Sequence, residues 1–273
     1  MLPQTLRLNS GHTIPVLGFG VYQSGAETYE AVLAALKAGY RHVDTAQFYR
    51  NEADVGRAIR DSKLPREEVF VTSKLWLTNW GADRAKKATE ETLRKLDLGY
   101  VDLMLLHAPG DSATRAETWR ALEAFVASGS VRSLGVSNFG PAHIDKLLQT
   151  ASVPPSVNQI ELHPWLQWAE VVRYCQGKGI AVEAYSPLAK AQKMDDPTLR
   201  RIATRHSVEP AQVLVRWGLQ KGFVVLPKSV HEARIRKNAE VWNFELSDAD
   251  MKALDGLECD FVTGWDPIRD DKV

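Results

Sequence analysis

Cysteine is almost absent from this chain: Cys175 and Cys259 are the whole complement, and no CxxC spacing joins them. Such a pair builds neither a disulfide scaffold nor a zinc ribbon, and both thiols are expected to be buried and inert. A charge of one sign is missing too. Lysine plus arginine and aspartate plus glutamate number 34 each, so no basic surplus draws the protein to nucleic acid or an anionic membrane. No apolar stretch approaches the ~20 residues that span a bilayer. The opening MLPQTLRLNSGHTIPVLGFG lacks the sequence of basic start, apolar run and small-residue cleavage site that marks a secretory signal. A cytoplasmic protein is the expectation. No proline- or glycine-rich linker and no low-complexity tract interrupts the chain, which predicts one domain over residues 1–273.

What is present is a regular alternation. Apolar-polar patterning in TLRL and TIPV flanks the turn-forming Asn9-Ser10-Gly11-His12, predicting an N-terminal hairpin. Strands are then predicted at Leu17–Gly20, His42–Asp44, Val69–Lys74, Val101–His107, Val131–Val136, Ser156–Glu161, Ala181–Tyr185 and Val224–Pro227. Between them, period-3.6 spacing predicts helices at Glu27–Ala38, Ala53–Arg60, Asp83–Leu96, Ala116–Ala127, Ala142–Thr150 and Ala169–Gly177, then one long helical stretch from Thr198 to Leu219. Glu232–Ala239 and Asp248–Leu257 follow, the latter behind Ser247 and Asp250 in capping-box order. Eight strand-helix units, with VDLMLLH and FVVLP apolar on both faces, match a closed (β/α)8 TIM barrel. The alternative, an open doubly wound sheet, fits less well. Its first turn would need a GxGxxG loop, and Gly18-Phe19-Gly20-Val21-Tyr22-Gln23 lacks the third glycine.

The strand ends are the most informative places. Asp44, Lys74 and His107 end three of them; Ser137-Asn138, Gln159 with Glu161, Tyr185-Ser186 and Lys228-Ser229 stand at or just beyond four more. In a (β/α)8 barrel all converge on the C-terminal rim, where barrel active sites lie. Tyr49, in the loop DTAQFYRNE, can fold back over that rim. A phenol is a poor acid at neutrality, with a pKa near ~10. An ammonium ~4 Å away at an effective dielectric of ~20 favours phenolate by roughly 4 kcal/mol, or ~3 pKa units before burial opposes it. Asp44 would hold Lys74 charged, and His107 would bond a substrate carbonyl oxygen. The group suits a reaction that brings hydride to a carbonyl carbon and a proton to its oxygen.

The segments GYRHVDTAQFYRNEADVGRAI, VFVTSKLW, VDLMLLHAPG, VRSLGVSNFG, VNQIELHPW and VLPKSVHEARIRKNAEVWNFEL, in that order through nearly the whole chain, resemble the aldo-keto reductase family. The resemblance implies a barrel that binds NADPH without a Rossmann fold, acting on a small carbonyl substrate as a monomer. It assigns Tyr49 as general acid, Lys74 as its modulator, Asp44 as the support of Lys74, and His107 as the group orienting the carbonyl. It also implies that Ser137, Asn138 and Gln159 hold the nicotinamide carboxamide, that Tyr185 stacks on the ring, and that Ser186 and Leu188 line the pyrophosphate path. Lys228, Ser229 and Arg234 would clamp the 2′-phosphate, with Asn238 on the adenine. Two cations and a hydroxyl meet a phosphate's need for charge and donors. Lys237 departs from the family, many of whose members carry glutamate there.

Tyr22 and Trp76 follow strand ends and are expected to wall the substrate pocket, with Trp265 near the tail. Ala108 stands where many relatives have tryptophan, which would open the pocket to bulkier or bifunctional carbonyls. About ten residues (Ala108–Thr118) and about twelve after Tyr185 form short rim loops, as in the microbial branch that includes diketogluconate reductases. His163 and Glu161 read as turn packing; Trp119, Trp217 and Trp242 read as core residues on helical faces. No histidine spacing suggests a metal site. Two rival functions remain at this level: a non-catalytic NADPH-binding regulatory subunit, and a barrel lyase using Lys74 as a Schiff-base amine.

Overall fold

The predicted alternation becomes a closed parallel barrel in the computed structural model, which describes residues 2–269. A hairpin of β1 (Thr5–Arg7) and β2 (Thr13–Pro15) comes first, paired antiparallel from Thr5↔Pro15 to Arg7↔Thr13. Its turn needs Gly11, which sits at φ +88°. The eight barrel strands follow: β3 (Phe19–Gly20), β4 (His42–Asp44), β5 (Phe70–Leu75), β6 (Val101–Leu106), β7 (Val131–Ser137), β8 (Val157–Glu161), β9 (Ala181–Tyr185) and β10 (Val224–Val225). Each pairs in parallel with its sequence neighbour. The first and last meet through Val225 N to Val16 O (2.8 Å), Gly18 N to Val225 O (2.9 Å) and Gly20 N to Pro227 O (3.1 Å), which closes the sheet.

Among the described residues ten helices surround it: α1 (Thr28–Lys37), α2 (Glu52–Asp61), α3 (Ala82–Leu96), α4 (Ser112–Ala127), α5 (Pro141–Leu148), α6 (Ala169–Gly177), α7 (Pro197–His206), α8 (Pro210–Gln220), α9 (Glu232–Ala239) and α10 (Asp248–Asp255). The stretch expected as one helix from Thr198 to Leu219 is therefore two. Ser207 ends α7 in the left-handed region (φ +54°), and Pro210, which has no N–H to give a preceding turn, opens α8. Helix α4 begins four residues earlier than expected, because the Asp111 side chain caps Ala113 N at 3.1 Å. The loop after His107 shrinks to Ala108–Asp111. Cys175 is buried as expected, but Cys259 is exposed. Trp119 and Trp217 are buried in α4 and α8, whereas Trp242 lies in the irregular chain beyond α9 and is only half-buried.

Period-2 alternation sorts each strand into two environments. Val71, Leu75, Met104, Leu106, Val136 and Ile160 face outward and pack beneath the helices. Phe70, Leu103, Leu105, Val157 and Val224 face inward, where Leu8 and Ile14 of the hairpin join them to plug the lower barrel. Gly135 lets β6 and β8 approach: a Cβ there would stand 2.6 Å from Leu105 Cδ2 and 2.7 Å from the Val157 carbonyl. Above this plug the inward positions turn polar, with His42, Thr72, Gln159 and Glu183 first, then Asp44, Lys74, Ser137, Glu161 and Tyr185 at the strand ends. No helix among the described residues is long and apolar enough to cross a membrane.

Candidate active site

The polar end of the barrel opens into a cavity of about 470 Å³. Lys74 stands behind its wall, 0% exposed, with Nζ donating to Asp44 Oδ1 (2.6 Å), Thr45 O (3.0 Å) and Tyr49 Oη (3.0 Å). Those three bonds use all three ammonium donors, so the buried charge is fully satisfied. Because Nζ donates to Oη, the phenol hydrogen of Tyr49 is free to point into the cavity it lines.

Tyr49 reaches this place through its loop. A 3-10 turn, Gln47–Tyr49, ends at Arg50 with φ +57°. Asn51 pins the turn, accepting from Thr45 Oγ1 (2.7 Å) and donating to Val21 O (3.0 Å). Gln47 ties it to α3 and to the end of β5, donating to Ala88 O (3.0 Å) and accepting from Trp76 N (3.0 Å). His107 packs edge-on to Tyr49, with ring centroids 5.7 Å apart, and to Trp76 at 4.9 Å. Tyr22 lies 4.9 Å from Tyr49, and Trp265 lies 6.1 Å from Trp76. All four aromatic wall positions thus surround one volume, Tyr22, Trp76 and Trp265 together with Phe48, which stacks on Trp76 at 4.1 Å.

Ser137, Asn138, Gln159, Tyr185, Ser186, Leu188 and Lys228 line the same cavity. Ser137 Oγ donates to Gln159 O (2.8 Å), and Tyr185 Oη donates to Asn138 Oδ1 (2.9 Å). Ser229, Arg234 and Asn238 lie beyond the cavity, just after β10 and in α9. Arg234 is exposed and makes no hydrogen bond or ion pair among the described residues. Lys237 is paired with Glu240 at 2.8 Å, so its charge is already matched. Ala108 is not part of the wall; it is 1% exposed and outside the cavity. It stands past the end of β6, in the bend that follows His107. Glu161 does line the cavity, while also accepting from His163 Nε2 (3.1 Å) and Thr263 N (3.1 Å), which ties down the tail carrying Trp265. Phe48, Gln23 and Lys190 line the cavity without having been singled out in the sequence. Phe48 carried a usable signal, an aromatic beside Tyr49 in the rim loop.

The profile described as "Aldo/keto reductase family" matches residues 16–258. The chain belongs to that family. Glyoxal reductase of Bacillus subtilis is 44% identical over 268 residues, covering 97% of each chain. The 9,11-endoperoxide prostaglandin H2 reductase of Trypanosoma cruzi is 42% identical over 265 residues, with 95% and 93% covered. The crystal structure of a Bombyx mori aldo-keto reductase in complex with NADP superposes with a TM-score of 0.90 at 34% identity, covering 96% of this chain and 95% of that one. This aldo/keto reductase is an oxidoreductase of carbonyl compounds.

The electrostatics of the reductase site correct one expectation. Burial outweighs the pull of Lys74 on Tyr49, and the phenol is pushed up to about 12 rather than down. Tyr49 therefore keeps its proton at neutral pH. Burial alone would lower Lys74, but the Asp44 carboxylate and Tyr49 bring it above its ordinary value, and it stays an ammonium. His107 is held well below its ordinary value by burial and by Lys74, so it is a neutral imidazole. Its Nδ1 is buried without a hydrogen-bond partner among the described residues, which leaves Nε2 to serve the cavity.

Proposed function

We propose that this chain reduces aldehydes and ketones to alcohols with NADPH, Tyr49 delivering the proton. The observation that carries the reading is the chain of contacts Asp44–Lys74–Tyr49, at 2.6 and 3.0 Å, ending on a protonated phenol at the cavity wall. The nicotinamide, when bound, supplies hydride to the carbonyl carbon. Tyr49 gives its proton to the carbonyl oxygen as negative charge develops there. Lys74 then faces the forming phenolate and offsets its burial, while Asp44 keeps the ammonium in place. Neutral His107 donates to the same oxygen and fixes its position.

The cofactor residues fit a nicotinamide dinucleotide phosphate. Tyr185, Gln159 and Asn138 line the cavity, and Arg234, exposed and without a hydrogen bond or ion pair among the described residues, follows Lys228 and Ser229 in the chain. The NADP-bound relative supports the same choice. Four aromatic walls favour neutral, apolar carbonyl compounds over charged ones. Relatives named for glyoxal and for a prostaglandin endoperoxide support a broad range that includes bulky, keto-ester and dicarbonyl substrates. A Schiff-base role for Lys74 is disfavoured by its full engagement as a buried ammonium, since an amine nucleophile must be free and neutral.

The test is NADPH consumption with phenylglyoxal and an aromatic aldehyde, in wild type and Tyr49→Phe. Turnover should fall by roughly 10²–10⁴ in the variant, while NADPH still quenches tryptophan fluorescence. Unchanged turnover in Tyr49→Phe, or none in the wild type across a carbonyl panel, refutes the reading; the second result would leave the non-catalytic subunit standing.

A further inference from the structure

Beneath the reacting groups lies a carboxyl group that the proton transfer does not use. Glu183 precedes Tyr185 by two residues in β9, so strand alternation turns both into the barrel. It is completely buried, and its Oε2 accepts from Gln159 Nε2 at 2.7 Å. The same nitrogen donates to Asp44 Oδ2 at 2.8 Å. A primary amide has two N–H donors and one carbonyl acceptor. With both hydrogens committed, the polar atom that Gln159 can offer to the cavity is its carbonyl Oε1. An inverted amide would set its oxygen against the Asp44 carboxylate, acceptor against acceptor, and would take from Glu183 Oε2 the N–H it now accepts.

We propose that Glu183 is a positioning residue which, with Asp44, locks the Gln159 amide with its carbonyl toward the cavity, so that the site selects a ring bearing a carboxamide N–H donor. The inference rests on the NADPH reading above. Asp44 alone would hold one of the two hydrogens, and Glu183 supplies the second anchor. The groups around Glu183 permit this. Asp44 lies across the Gln159 amide, Lys74 lies beyond Asp44, and His42 Nε2 stands 3.6 Å from Glu183 Oε1 while bonded to Thr72 Oγ1 at 3.0 Å. Burial and the Asp44 charge push Glu183 up to about 8. Oε2 serves as acceptor for Gln159 in the carboxylate and equally in an acid protonated at Oε1.

The experiment measures dissociation constants of NADP⁺ and its 3-acetylpyridine analogue by quenching of tryptophan fluorescence. The analogue carries a methyl ketone in place of the carboxamide and has no N–H to donate. Glu183→Leu should weaken NADP⁺ roughly 3–10-fold, the scale of one hydrogen bond, and change the analogue less than about twofold. Glu183→Gln, whose amide oxygen can replace Oε2, should restore wild-type discrimination. If Glu183→Leu does not fold, Glu183→Thr is measured instead, alone and with Gln159→Ala; Glu183→Thr should lower discrimination alone and not further in the Gln159→Ala background. Equal weakening of both cofactors, or no change in either, overturns the proposal. A wild-type protein that binds neither cofactor overturns the NADPH reading itself.

Discussion

Replacing Lys74 with methionine tests the electrostatic core of the site. The ammonium lies 3.0 Å from Tyr49 Oη. At that separation and an effective dielectric of ~20, a full phenolate would gain about 5 kcal/mol from it. With about half of the charge developed in the transition state, the loss is about 3 kcal/mol, or ~10²-fold in rate. The same change strands the buried Asp44 carboxylate, at a cost of about 3–5 kcal/mol in stability. The double variant Asp44→Asn/Lys74→Met removes that stranded charge, so it should recover stability without recovering rate. The assay is single-turnover hydride transfer from bound NADPH, because product release can mask chemistry in kcat. The pH profile carries a second check. Tyr49 must be protonated to act, and its value near 12 keeps it so; the wild-type rate should therefore not fall through loss of this proton between pH 7 and roughly 10. A folded double variant that transfers hydride within threefold of wild type would defeat the argument.

Arg234→Ala should weaken NADPH about 10–100-fold, the worth of a charge-assisted bond, and leave NADH unchanged; parallel losses for both count against a phosphate clamp. Glu183 should contribute a part of the stability that falls as pH rises from about 5 to about 8, by a few kcal/mol at ~1.4 kcal/mol per unit, opposed below about 6.5 by the buried neutral His42 and His107. The sign follows from Glu183, whose folded value of about 8 exceeds its ordinary 4.5, so the folded state holds a proton that the unfolded chain has released. Urea melts of Glu183→Gln should lack that part of the slope, and an identical slope in both proteins refutes the assignment. Gly56→Ala would drive a Cβ into the Leu96 carbonyl where α2 crosses α3, costing about 1–3 kcal/mol; a melt within 0.5 kcal/mol of wild type, by the ordinary surface-substitution scale, would show that the two helices separate freely.

The strand count and the rim residues were legible because two simple periods govern them. Asp44 ends β4, Lys74 stands one residue before the end of β5 and His107 just past β6, and the closed barrel leaves these ends only one rim to share. The break between α7 and α8 was also written in the chain. Pro210 marks it, but continuous apolar spacing on both sides hid the stop. Tyr49 was harder to place, since its position depends on Asn51 gripping the Val21 carbonyl and Gln47 gripping Ala88 O of α3 and Trp76 N just past β5, contacts that no periodicity announces. The direction of its shift was out of reach. The attraction of Lys74 can be sized from a distance, but burial depends on the whole wall that encloses the ring.

Ala108 and Glu183 show how far a single rule extends. Adjacency to His107 suggested a pocket wall, yet one step along a chain turns the side chain away, and Ala108, just past β6, is buried outside the cavity. Two steps restore it, and Glu183 therefore shares the interior with Tyr185. A buried carboxyl among apolar neighbours is costly unless something answers it. Here Gln159 answers Asp44 and Glu183 together, and the amide so fixed faces the cavity where the dinucleotide is proposed to bind. The polar layer below the rim thus acts on the chemistry above it through one side chain, whose orientation two carboxyl groups decide.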